Sequence, residues 1–134
     1  MRKILIVDDE LLMHVLYKKY FEREGFELLA AHDGIEALSV VERVTPDLIL
    51  MDVMMPGMDG ISVIHELRKI EAVRDVPVIV VTANVGQYEN VGKLARMRGV
   101  DGLLTKPLSP ARLIAEVWRV LKPAAPPAVV QMRR

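Results

Sequence analysis

The sequence predicts a doubly wound α/β fold built on a parallel sheet. Two observations carry this. Short apolar runs alternate with helix-like stretches five times along the 134 residues. Three of those runs, ILIV, LILM and VIVV, contain no polar residue, as strands covered on both faces should. Strict β-α alternation implies right-handed crossovers, with helices above and below the sheet. The length allows one domain with a sizeable core and little more.

Residues 4–7 read as the first strand, and residues 11–24 as a helix. Leu12, Val15, Leu16 and Lys19 or Tyr20 fall at helical spacing, and Gly25 is a stop signal. Residues 26–31 form a second strand, which carries Glu27 and so reads as an edge. Asp33 with Glu36 is a capping pair that opens a helix to about Val44, and Pro46 ends it. Residues 48–51 are the third strand, followed by a helix from Gly60 to about Ile70. Residues 78–81 are the fourth strand, and a weak helix is expected over residues 87–98. Leu103 and Leu104 mark a short fifth strand. Ser109 then Pro110 supply an N-cap and a first helical position, and that helix runs to about Lys122. The domain is expected over residues 1–122. Residues 123–134, AAPPAVVQMRR with its preceding proline, have the composition of a disordered tail or of a linker cut short.

Composition excludes several classes. Eighteen basic residues balance eighteen acidic ones, which argues against direct nucleic-acid binding by this chain. There is no cysteine, hence no disulfide frame and no thiolate metal site. The apolar runs are far shorter than the ~20 residues of a membrane helix. An acidic pair interrupts the N-terminal run after four residues, so it does not read as a secretory signal, and a cytoplasmic protein is expected.

In an open α/β sheet, ligands bind beyond the carboxyl ends of the strands. Strand one ends in Asp8 and Asp9, strand three in Asp52, strand four in Thr82, and Lys106 follows strand five. If strands one and three are neighbours, their ends lie ~5 Å apart. Ionised carboxylates at that distance repel by ~3 kcal/mol at an effective dielectric of 20. Lys106 supplies one compensating charge. A hard divalent cation supplies the rest, and Mg²⁺ fits, because it accepts a few carboxylates and keeps waters and phosphate oxygens. Carboxylates, Mg²⁺, a lysine and a hydroxyl form a phosphoryl-transfer site, in which an aspartate can itself be the nucleophile.

The segments ILIVDDE, LILMDVMMPGMDG, VIVVTAN and LLTKPLS, in this order and each at a strand end, resemble the successive signatures of a response-regulator receiver domain. The resemblance implies a flavodoxin-like (βα)5 fold with sheet order 2-1-3-4-5. It implies that Asp52 is the phospho-acceptor, with Mg²⁺ held by Asp8, Asp9, Asp52 and the Met54 backbone carbonyl. Thr82 would donate its hydroxyl to the phosphoryl group and shift towards it, and Lys106 would pair with the phosphoryl oxygens. The bond before Pro107 would be cis, and Pro56 and Gly60 match the loop after the acceptor. The donor would be a histidine kinase or a phosphotransfer protein. The receiver would signal to an output protein or domain, with a phosphorylation-dependent dimer as one form. It would not be an enzyme in the ordinary sense, since it catalyses only its own phosphorylation and dephosphorylation.

The chain departs from the family pattern at Leu103, where an aromatic residue usually moves with the threonine. Gly86 and Gly92 make the preceding helix easy to remodel, which points to switching through the backbone. Met54 and Asn84, each two residues past a site residue, occupy positions that tune the acyl-phosphate lifetime. His14, His32 and His65 have no partner at ligand spacing and read as ordinary helix or loop residues. Met51, Met55 and Met58 read as packing around the acceptor, with Met54 the exception because it lies two residues beyond Asp52, and Trp118 reads as half-buried packing beside the stripe of Leu113, Ile114, Val117, Val120 and Leu121. Lys93, Arg96, Arg98, Arg112 and Arg119 form a basic tilt on the last two helices. Two other functions share these residues: a phosphorylation-independent interaction module, and a small metal-dependent aspartyl-phosphate hydrolase. The second would need an acid/base residue where Met54 stands and a cap over its substrate.

Overall fold

In the computed structural model, five parallel strands form one sheet in the order β2-β1-β3-β4-β5. The structure describes residues 1–55, 57, 59–83 and 99–121. The expected helix over 87–98, the residues Pro56, Met58, Asn84, Gly86, Gly92, Lys93, Arg96 and Arg98, and the chain from Lys122 onwards lie outside the described residues.

The strands are β1 (Lys3–Val7), β2 (Glu27–Ala31), β3 (Leu48–Asp52), β4 (Val78–Thr82) and β5 (Gly102–Thr105). The helices are α1 (Leu11–Phe21), α2 (Gly34–Arg43), α3 (Gly60–Leu67) and α4 (Pro110–Leu121), with a 3-10 turn at Glu71–Val73. The expected order 2-1-3-4-5 is the observed one, and β2 is the expected edge.

Alternation along each strand sorts the core into two layers. Leu5, Val7, Ile49, Met51, Val78 and Val80 pack with Ala37 and Val40 of α2 and Val63, Ile64 and Leu67 of α3. Ile4, Ile6, Leu48, Leu50, Ile79 and Val81 pack with Tyr17 and Phe21 of α1 and Leu113 and Val117 of α4. Every residue of β3 and β4 is buried, which is why their sequences are apolar up to the last position. Each large side chain fully buried this way contributes ~1.5–3 kcal/mol.

The stripe expected on α1 is rotated. Leu12 and Val15 face solvent, and the helix buries Tyr17 and Phe21 with Met13 and Tyr20 beside them. The rings win because they remove more apolar area from water than a leucine and a valine do. Helix α1 also stops at Phe21 rather than Glu24. Glu24 N–H donates to the Phe21 carbonyl, and Gly25 takes φ +78°, a left-handed turn that glycine adopts without a Cβ clash. That reversal returns Phe26 edge-on to Phe21, ring centres 5.5 Å apart. So Phe26 packs as a corner, and β2 begins at Glu27.

Helix α2 opens as the capping pair predicts on one side: the Asp33 carboxylate accepts from Glu36 N–H at 2.7 Å. The return bond goes elsewhere, since the Glu36 carboxylate takes the His32 N–H at 2.6 Å. Helix α3 ends at Leu67, short of Ile70. The Arg68 guanidinium next to it collects carbonyls of the following turns, which draws the chain out of the helix. Helix α4 starts at Pro110 as expected, and its last described residue is Leu121.

Candidate functional site

The same alternation aims three chemically active groups at one place. Ile4 and Ile6 face the α1/α4 layer, and Asp8 is next in that row. Leu48 and Leu50 face the same layer, and Asp52 follows. Leu104 belongs to that layer too, and Lys106 follows it. Strand pairing aligns Val7 with Met51, so Asp8 and Asp52 stand side by side at the carboxyl edge. Thr82 has the other parity, in step with Val78 and Val80, and pairs in register with Thr105. It is fully buried at the end of β4.

The Lys106 ammonium donates to Asp8 Oδ2 at 3.0 Å, Glu10 Oε1 at 3.2 Å and Asp52 Oδ2 at 3.4 Å. Asp52 Oδ1 accepts the Met54 N–H at 2.8 Å, and Asp8 Oδ1 accepts the Glu10 N–H at 2.9 Å. Each buried carboxylate is thus pinned by a backbone donor two residues ahead, leaving its other oxygen towards the lysine. Asp8 therefore also braces the entry to α1, whose N-cap, Glu10, makes no side-chain cap bond. The peptide bond from Lys106 to Pro107 is cis. Gly60 permits the loop after Asp52 to close, because a Cβ there would meet the Asp52 carbonyl oxygen at 2.6 Å.

Asp8, Asp9 and Asp52 each bring a carboxylate oxygen within 4.8 Å of the others, the one such group among the described residues. Asp8 and Asp52 are buried and Asp9 is exposed, so the cluster is open on one side. Three negative charges against one ammonium leave an all-oxygen, net-anionic donor set. That is the chemistry a hard divalent cation requires, and it fits Mg²⁺. Burial raises the Asp52 pKa above the ordinary aspartate range, against the pull of the Met54 N–H and of Lys106. Burial works against the Lys106 ammonium as well, but Asp8, Asp52 and Glu10 outweigh it, and its pKa is raised. Beneath them, burial and then the charges of Asp8 and Asp52 push the Tyr17 phenol far above its usual value.

Sequence reasoning missed Glu10 as a partner of Lys106, although it is the residue after the acidic pair. It also missed His14. Its Nε2 lies 2.8 Å from the Asp8 carbonyl, its ring centre is 4.6 Å from that of His32, and His32 Nδ1 reaches Glu36 Oε1 at 3.0 Å. So two of the three histidines have partners: His32 pairs with Glu36 at the i,i+4 spacing that the sequence already offered, whereas the His14 contact to a backbone carbonyl leaves no mark in the sequence. Leu103 is half-buried against the α2/α3 layer.

A family model described as "Response regulator receiver domain" matches residues 4–118. The chain belongs to the response-regulator receiver family. The receiver is 39% identical over 121 residues to the alkaline phosphatase synthesis transcriptional regulatory protein PhoP of Bacillus subtilis strain 168, covering 90% of this chain and 49% of that protein. It thus spans about half the length of the curated relatives it matches. Among solved structures it is similar to the Vibrio cholerae chemotaxis protein CheY4, with a TM-score of 0.82 and 28% identity, covering 90% of this chain and 98% of that one. It is also similar to the receiver domain of the Pseudomonas aeruginosa PAO1 sensor histidine kinase PA1611, with a TM-score of 0.79 and 32% identity, covering 90% and 97%. That domain was solved with a magnesium ion coordinated in its active-site cleft. Receivers of this family are signalling switches of two-component systems and are not ordinarily classed as enzymes. No helix among the described residues is long and apolar enough to cross a membrane.

Proposed function

We propose that this receiver takes a phosphoryl group onto Asp52 from a histidine kinase or a phosphotransfer protein and passes the change to an output protein or domain. The observation that supports this most is Asp52 itself: a buried carboxylate at a strand tip, with one oxygen fixed by Met54 N–H and the other facing Lys106. A buried carboxylate that is only partly compensated is poised to react or to bind a cation.

Asp8, Asp9 and Asp52, with the Met54 carbonyl, would hold Mg²⁺. When bound, the ion neutralises charge on the transferring oxygens. An Asp52 oxygen attacks phosphorus in line, the P–N bond of a donor phosphohistidine breaks, and the leaving nitrogen keeps the electron pair and takes up a proton. Lys106 exchanges a carboxylate partner for a phosphoryl oxygen and stabilises charge that it already faces. Thr82, buried at the end of the next strand, donates its hydroxyl to the new group, and Leu103 repacks with it. Met54 and Asn84 set the lifetime of the acyl-phosphate. The new charge biases a two-state element towards an output-competent surface, with a phosphorylation-dependent dimer as one readout. We place this chemistry in the cytoplasm, without direct contact to nucleic acid or membrane. A small acyl-phosphate donor with Mg²⁺ should label the wild type and not Asp52→Asn. Labelling that survives the substitution would sink the assignment.

A further inference from the structure

We infer that Glu10 is a positioning residue that holds the Lys106 ammonium at the mouth of the site, favouring metal binding and opposing the phosphoryl group. The inference rests on the phosphorylation reading above. Lys106 has three carboxylate partners, and two of them, Asp8 and Asp52, belong to the cluster that can hold a metal ion. Glu10 does not belong to it. Its side chain is 62% exposed, against 1% for Asp8 and 4% for Asp52. Its backbone is fixed by the bond from its N–H to Asp8 Oδ1, while its side chain leaves α1 uncapped and reaches Lys106 instead.

A divalent cation and the Lys106 ammonium compete for the same two buried carboxylates. Both cations cannot be fully satisfied by them at once. Glu10 gives the ammonium a partner outside the metal ligands, so that Asp8 and Asp52 are released to the ion without stranding a partly buried charge. A lysine held only by the buried pair would have to be displaced outright. The same contact acts in the opposite direction on the phosphoryl group. To pair with a phosphoryl oxygen, Lys106 must turn inward and give up Glu10. One side chain thereby has effects of opposite sign on the two ligands.

The test uses Glu10→Gln, which keeps size and leaves the backbone bond to Asp8 in place. Metal affinity is read by calorimetric titration of Mg²⁺, and phosphoryl-site affinity by titration of beryllofluoride at saturating Mg²⁺. Each is repeated in a Lys106→Met background. Glu10→Gln should weaken Mg²⁺ and tighten beryllofluoride, each by roughly two- to fivefold, the range of a partly exposed ion pair. Both effects should disappear in Lys106→Met. Equal effects in the two backgrounds would overturn the inference, because the carboxylate would then act as a general field and not through Lys106. Unchanged affinities for both ligands would overturn it too. A wild type that binds no Mg²⁺ would overturn the phosphorylation reading itself, and this inference with it.

Discussion

Lys106 and Arg68 anchor polar clusters at opposite edges of the same sheet, and the clusters are built to opposite ends. Arg68 follows α3. Its Nη1 donates to the carbonyls of Val73, Arg74 and Val76 at 3.2, 2.8 and 2.6 Å, and its Nη2 donates to the Gly99 carbonyl at 2.5 Å. Asp101 lies 3.6 Å away and spends its own Oδ2 on the Val78 N–H. Three carbonyls share the two Nη1 hydrogens there, and Arg68 Nε is the one buried side-chain nitrogen or oxygen without a hydrogen-bond partner among the described residues. At the carboxyl edge, Lys106 faces Asp8, Glu10 and Asp52, and Asp9 adds another negative charge nearby. That edge is electrostatically incomplete. The Arg68 network ties together the entries to β4 and β5, whereas the carboxyl edge carries an excess of negative charge.

The largest expected effect breaks the Arg68 cluster. Arg68→Ala removes a cation shared by four carbonyls, three of them in part-buried bonds and that of Arg74 exposed. It should lower unfolding stability by about 2–4 kcal/mol, read from urea midpoints. A loss below about 0.5 kcal/mol would mean that the network is decorative.

The next effect has the opposite sign. Burial raises the Asp52 pKa in the folded protein, so between the unfolded and folded values the native state holds a proton that the unfolded chain has lost. The unfolded state then binds fewer protons, and stability falls as pH rises through that window. Asp52→Asn should remove this decline and stabilise the metal-free protein at neutral pH by about 1–2 kcal/mol. Stability profiles that run parallel from acid to neutral pH would contradict the charge surplus.

How much of this contrast the sequence carries follows from the range of each interaction. The strands, their order of burial and the groups at their tips are legible, because apolar runs and period-two alternation are local. Asp8, Asp52 and Lys106 could be read as one site because strand ends converge wherever a sheet is parallel. Helix ends were less legible. Helix α1 stops three residues early to bring Phe26 back onto Phe21, and α3 stops where Arg68 finds carbonyls ahead of it. Glu10 and Lys106 are 96 residues apart, and nothing local to either marks the contact.

The smallest effect concerns Leu103 at the edge strand. The Glu116 carboxylate is held below its usual range first by Arg119, which donates to both its oxygens, and to a smaller extent by the nearby backbone amide of Leu103. Arg119 Nη2 reaches the Asp101 carbonyl at 2.9 Å as well. This pair covers backbone groups that an edge strand otherwise leaves open. Glu116→Ala should speed amide exchange at Leu103 several-fold while changing global stability by about 0.5–1 kcal/mol. Unchanged exchange at Leu103 would remove Glu116 from the account of that edge.

The incompleteness of the carboxyl edge is tested most directly by finding where the phosphoryl group goes. The protein is treated with an acyl-phosphate donor and Mg²⁺, then with borohydride, which reduces an acyl-phosphate to an alcohol. Peptide mapping by mass spectrometry then locates the change. Conversion at position 52 alone, dependent on Mg²⁺, is the predicted result. Conversion at Asp8 or Asp9, or none at any aspartate, would contradict the account.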